Sequence, residues 1–209
     1  SNKLTYTIPA ALAGGLVTAD LTLTNAGGVD YVPTTRVRPA FQNIVLNTTG
    51  TVDKDGWAKG GIVSQIPGLP GQTIPNGGSL KDMTDGTSNT MMIGELAGRN
   101  SLYRKGNKLI AITAPSPADE AYVASIAGGG AWADPFNGVW ELTGRANDGT
   151  GTSGPCSINC SNARSFGSLT QNAGGLYSWH TGGSHALLGD GAVRFLSENM
   201  SGVTMVALI

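Results

Sequence analysis

The run HTGGSHALLGDGAVRFL at residues 180–196 constrains the fold more than any other stretch of this chain. Asp190-Gly191 stands between two apolar runs, and such a pair is the strongest short-range mark of a β-hairpin. A two-residue turn there predicts strands near 185–189 and 192–196. In that register Leu188 faces Val193 and Ala186 faces Phe195, so these four share the face that enters a core. His185, Leu187, Arg194 and Leu196 fall on the opposite face. A type I′ turn requires positive φ at Gly191, which a side chain resists. His180 lies upstream, before the Gly182-Gly183 pair.

Composition sets the class of fold around this hairpin. The 209 residues suffice for one domain with a sizeable core. Glycine, at 32 residues, is about twice as frequent as the usual ~7%, and the 13% of charged residues is about half the usual ~25%. Such a chain is rich in turns and poor in helix formers, which argues against an all-helical fold. The net charge is −1 and there is no basic run. Phosphate binding needs clustered Lys and Arg, so no nucleic-acid partner is expected. No stretch reaches the ~18 consecutive apolar residues of a membrane span.

Residues 1–35 read as extended, with Leu21 to Thr24 alternating, and 43–47 is a further strand candidate. Residues 67–78, dense in proline and glycine, form a loop. Asp85-Gly86 makes a turn before a short buried strand at 91–95, and a second strand is expected at 109–113. Residues 116–126 carry the clearest internal helix signal: Ser116 as cap, Pro117 at the first helical position, Asp119 completing a capping box and glycines at 128–130. Residues 143–175 read as irregular, and 198–209 end in a short helix.

Cys156 and Cys160 are the only cysteines. Their C-x3-C spacing lacks the second half of a four-ligand zinc site and is not the C-x-x-C redox spacing. A local disulfide in an exported protein is the expectation, and two free thiols would reopen a metal reading. His180, His185 and Asp190 invite a catalytic or metal reading, but no G-x-S-x-G elbow supplies a nucleophile. The plainer reading makes His180 a loop residue bonded to backbone and Asp190 a turn former. The run TDGTSNT at 84–90 lacks the lysine and glycine spacing of a phosphate loop and reads as a turn closed by side-chain-to-backbone bonds. Glu95, at the end of an apolar strand, needs a partner, with Arg99 or Arg194 the candidates for a buried ion pair. Asp53-Lys54-Asp55-Gly56 misses the full calcium-loop spacing. The candidate calcium donors are Asp134, Asn137 and Asp148, in glycine-rich loops. No other cofactor and no catalytic residue is expected. Trp57, Trp132, Trp140 and Trp179 are too scattered for a sugar-binding stripe and read as core or contact residues.

His180, nine residues, then Asp190-Gly191 resembles the His-x9-Asp-Gly ending of the DUF1559 family, prepilin-like bacterial proteins of the planctomycete type. Three further blocks are similar to that family, in its order: MTDGTSNT with Ile93-Gly94-Glu95, GGAWADP at 129–135, and GPCSINC at 154–160. The match is strongest over 80–209, and before it only Asp30 to Thr34 is similar. Thr181 and Gly189 depart from the usual proline and alanine, and neither change damages a hairpin. The resemblance implies an α+β fold: one pilin-like globular head over 1–209, mainly antiparallel sheet with long loops and few short helices. The family's long N-terminal helix is expected to be absent from this chain, through processing or truncation. The implied role is that of a non-enzymatic, exported subunit of a pilus, pseudopilus or other surface assembly of type II secretion or type IV pilin kind. It would be extracellular or at the cell surface, self-associating or packing with other pilin-like chains. Membrane contact would come only through the missing helix. Related pseudopilins hold calcium in such loops. Two rivals are an exported solute-binding module, which would show an apolar pocket with convergent polar groups, and a secreted hydrolase using His180 or His185.

Overall fold

A computed structural model of the chain describes residues 3–7, 18–22, 30–34, 36–47, 58–59, 80–99, 101–114, 119, 121, 140–151, 153–163 and 173–209. In chain order the strands are β1 (Lys3–Thr7), β2 (Thr18–Thr22), β3 (Tyr31–Pro33), β4 (Arg36–Val37), β5 (Ala58–Lys59), β6 (Met91–Glu95), β7 (Leu102–Arg104), β8 (Lys108–Ile110), β9 (Glu141–Leu142), β10 (Ala173–Gly174), β11 (Gly183–Leu188) and β12 (Val193–Ser197). The helices described in full are α1 (Pro39–Leu46) and α2 (Gly202–Ala207). The architecture is α+β with mainly antiparallel strands. β1 pairs with β2 and β7 with β8, each antiparallel. A mixed sheet runs β10-β9-β4-β5, with β9 parallel to both of its neighbours.

The sheet that carries the hairpin runs β12-β11-β6-β3 and is antiparallel throughout. Its register aligns side chains in rows across the strands. Val32, Gly94, Ala186 and Arg194 form one row, of which Val32, Gly94 and Ala186 lie buried on the core face. Leu176 packs so closely on Gly94 that a Cβ there would come within 2.4 Å of its Cδ2. The core gathers Val32, Met91, Leu176, Ala186, Leu188 and Leu196 with Val37, Phe41, Trp140, Leu142 and Met205. On the other face Pro33, Ile93, Leu187 and Val193 make an apolar row, half-buried except for the exposed Val193.

The hairpin is present, but its register differs by one residue from the expected one. Leu187 pairs with Val193, Ala186 with Arg194 and His185 with Phe195. The Leu188 N–H donates to Ala192 O at 2.9 Å and the Gly191 N–H to Leu188 O at 3.0 Å, which encloses the three-residue loop Gly189-Asp190-Gly191. Only Gly191 of the three has positive φ, at 87°, whereas a type I′ turn needs two such residues. The pattern is a turn followed by a left-handed glycine, the usual three-residue hairpin closure. Tertiary bonds select it: the Gly189 N–H donates to Thr90 O at 2.9 Å and the Asp190 N–H to Thr87 O at 3.1 Å. A one-residue slip turns a strand over. Leu188 and Ala186 stay inside, Leu196 joins them at 5% exposure, and Val193 (65%) and Phe195 (49%) face outward. The expected burial of Val193 and Phe195 is therefore overturned.

Residues 43–47, expected as a strand, belong instead to α1 and its cap. Pro39 suits the first turn, Phe41 and Val45 stand one turn apart towards the core, and the left-handed Asn47 ends the helix by donating its N–H to Asn43 O. The β-branched Ile44 and Val45 favour a strand locally, and packing against α2 outweighs that preference. β8 ends at Ile110, short of the expected 109–113. The turn before β6 is as expected: Gly86 has φ 95°, the Asn89 side chain donates to Asp85 O and the Thr90 hydroxyl to Gly86 O. The helix expected at 116–126 and the loop at 67–78 lie outside the described residues, apart from Asp119 and Ala121. A part-buried ion pair joins the residue before α1 to the mixed sheet, Arg38 Nε to Glu141 Oε2 at 2.6 Å.

The register makes an unequal prediction for one strand. Leu196→Ala should cost about 2–4 kcal/mol, as a buried leucine does, while Val193→Ala costs less than about 1 kcal/mol. The reverse order in urea unfolding would restore the two-residue turn. Gly191→Val should cost about 1–3 kcal/mol through backbone strain alone, since nothing stands within 4 Å of a Cβ there.

Candidate functional site

Glu95 is the last residue of β6, and the paired residues of β6 and β11 run as far as Gly94 and Ala186. Beyond them the Glu95 side chain takes over. Its Oε2 accepts the His185 N–H at 2.9 Å, while its backbone carbonyl accepts the Tyr177 N–H at 3.0 Å. The carboxylate, 7% exposed, meets two imidazoles: His185 Nδ1 stands 3.6 Å from Oε2 and His180 Nε2 stands 3.6 Å from Oε1. The expected arginine partner is replaced by histidine. The two rings meet edge to face at 4.6 Å between centroids, and Phe195 closes on His185 at 5.2 Å. One ligand atom from each of Glu95, His180 and His185 lies within 4.8 Å of the other two. The carboxylate forms the floor, the histidines stand half-open above it, and the exposed phenylalanine is a wall.

His180 is placed by the disulfide loop. Cys156 and Cys160 are bonded to each other, and Asn159 between them has a left-handed φ of 58°. Its Oδ1 accepts the Ser178 N–H at 2.9 Å, and its amide donates to Gly183 O at 3.1 Å and His180 O at 3.3 Å. The Ser178 hydroxyl closes the loop by donating to Gly183 O at 2.6 Å and accepts the His180 N–H at 3.1 Å. On the other side Trp179 packs edge to face on Tyr103 at 4.6 Å. Beneath lies Arg145, 1% exposed, which donates from Nη2 to Ala163 O at 2.7 Å and from Nη1 to Gly151 O, so that the irregular segments are held to a buried cation.

The structure gathers some of the residues singled out in the sequence and leaves others apart. His180 and Glu95 meet, joined by His185. Asp190 caps the hairpin loop by accepting the Ala192 N–H at 2.9 Å, and Asp85, Gly86 and Gly191 serve in turns. Asp148 is exposed, and the Thr150 hydroxyl and N–H on its Oδ1 hold its carboxyl below the usual range. Asp134 and Asn137 lie outside the described residues, as do Asp53 to Gly56, Trp57 and Trp132. Trp140 is buried.

A model of the family described as "Protein of unknown function (DUF1559)" matches residues 10–201. The chain belongs to the DUF1559 family. No curated protein and no solved structure matches it. The four blocks that resembled DUF1559 all fall inside the matched span. In this DUF1559 chain two of them, the IGE block and the His-x9-Asp-Gly ending, meet at the Glu95 and His180 pair, and a third supplies the disulfide loop that positions His180.

Replacing both cysteines by serine should cost about 2 kcal/mol, the chain-entropy value for so short a loop. Amide exchange of residues 178–183 should rise with it. Unchanged stability and exchange would show that Asn159 holds its conformation without the bond. Burial, with the neighbouring Tyr103, pushes the Tyr177 phenol up from 10.0 to about 12. A group raised on folding stabilises below its unfolded pKa and loses that contribution as pH climbs through the folded one. Stability should therefore decline between about pH 10 and 12 more steeply in the wild type than in Tyr177→Phe, as read by chemical unfolding.

Proposed function

We propose that this DUF1559 chain is a non-catalytic, exported structural subunit that assembles with copies of itself, or with other pilin-like chains, outside the cell or at its surface. The observation that carries the reading is the outer face of the β12-β11-β6-β3 sheet. There the row Pro33, Ile93, Leu187 and Val193 runs beside the exposed Phe195 and Tyr31. Apolar side chains contiguous across four strands mark a contact surface, unlike single exposed leucines. Among the described residues β12 has only β11 beside it and β3 only β6, so both ends of the sheet are edges. Unpaired edges are templates for association, and an edge that meets a different edge of the next copy propagates a filament. The low charge offers little repulsion to such contacts. The Cys156–Cys160 disulfide suits an oxidising compartment. The histidines stand on an open sheet face, which favours a surface role over catalysis in a cleft.

Sedimentation and negative-stain electron microscopy of the purified chain test the reading. Oligomers or filaments are expected, burying more than ~1,000 Å² per contact. Val193→Asp with Phe195→Asp should return the chain to monomer with its circular dichroism intact, since both residues are exposed. A wild type that stays monomeric at high concentration, with no filaments, would overturn self-assembly. Self-assembly would also cover apolar residues of the first 30, such as Leu4, Tyr6, Ile8 and Leu16, whose side chains lie outside the described residues.

A further inference from the structure

We propose that Glu95, His180 and His185 bind a divalent cation of the zinc class. All three donors come from one chain, so the site does not depend on assembly. Two imidazoles and a carboxylate are the donor set of a borderline metal, too nitrogen-rich for calcium or magnesium. The spacing is that of a coordination sphere. At 3.6 Å, His180 Nε2 and His185 Nδ1 stand too far from the carboxylate oxygens to be hydrogen-bonded to them. Donors placed ~2.0–2.2 Å from one tetrahedral ion lie ~3.3–3.6 Å apart, and each imidazole already stands at that distance from one of the two carboxylate oxygens. The three ligand atoms lie within 4.8 Å of one another, close to the reach of one ion.

Further features suit a metal centre. Glu95 is buried, so its ionised form needs a compensating cation, and the His185 N–H holds Oε2 in place, as outer hydrogen bonds hold metal ligands. The histidines are open to solvent, 52% and 35% exposed, which leaves an entry path and a free coordination position. Phe195 beside His185 excludes water from one side and strengthens the electrostatic term. Both cysteines are in the disulfide, so no thiol competes for the ion in the oxidised protein. The metal would tie the 178–183 loop to β6 and β11, the elements that Asn159 and Glu95 already hold together.

The test uses the oxidised, untagged 209-residue chain, stripped with chelator and titrated with Zn2+ by calorimetry and with Co2+ by visible absorption. One equivalent per chain is expected, with Co2+ bands characteristic of nitrogen ligation. His180→Ala changes an exposed loop residue and should keep the fold. It should weaken Zn2+ binding by more than the ~10–100-fold that loss of an outer supporting partner costs. Glu95→Gln keeps an oxygen to accept the His185 N–H and should weaken binding comparably. Asp148→Asn, an exposed carboxylate outside the three-donor set, should change nothing. Saturating Zn2+ should raise the Tm of the wild type and not of His180→Ala. No uptake of either metal, uptake undiminished in His180→Ala, or displacement of Zn2+ by equimolar Ca2+ would overturn the proposal.

Discussion

A single carboxylate at the end of a central strand joins most of what is described of this protein. Glu95 pairs through its backbone with Tyr31 of β3, receives the Tyr177 N–H on its carbonyl, and offers its side chain to the backbone of His185 on β11. The central sheet, the segment leading to Trp179 and the C-terminal hairpin therefore converge on one residue. A buried acid in that position is costly unless its charge is answered. The His185 N–H answers it in part, and the two imidazoles stand beside it on the outer face, while the core face is occupied by Leu176 against Gly94. The polar cluster lies on the outer face because Glu95 and His185 alternate with Gly94 and Ala186, which lie on the core face.

The proposed assembly face and the polar cluster share a boundary. Phe195 stands in both, as a neighbour of Val193 along the edge strand and as the wall beside His185. Whatever covers the edge strand also alters solvent access to the histidines. An occupant of the cluster, in turn, fixes the loop that borders the edge.

Much of the fold was legible in the sequence because its signals were local. The Asp85-Gly86 turn, the strand after it, the C-terminal helix and the Cys156–Cys160 bond each depend on residues a few positions apart. What failed depended on distant partners. Residues 43–47 have the composition of a strand and became helix because Phe41 and Val45 found a partner in α2. The hairpin loop gained a residue because Thr87 and Thr90 supply acceptors about 100 positions upstream. The site was half legible: Glu95 was recognised as needing a partner, and His185 was placed on the face away from Leu188. Their meeting required the pairing of β6 with β11, which no local pattern encodes, and an arginine was the natural guess in its absence.

β12 is apolar on both faces, with Val193 and Phe195 on one and Leu196 on the other, so its own pattern does not say which way up it should lie. The length of the Gly189-Asp190-Gly191 loop decides instead. Loss of one codon at Gly189 would leave the two-residue turn and present Arg194 and Leu196 to the outside in place of Val193 and Phe195. A lineage carrying this hairpin can therefore exchange a greasy exterior for a partly charged one in a single deletion, without altering any residue that forms either surface.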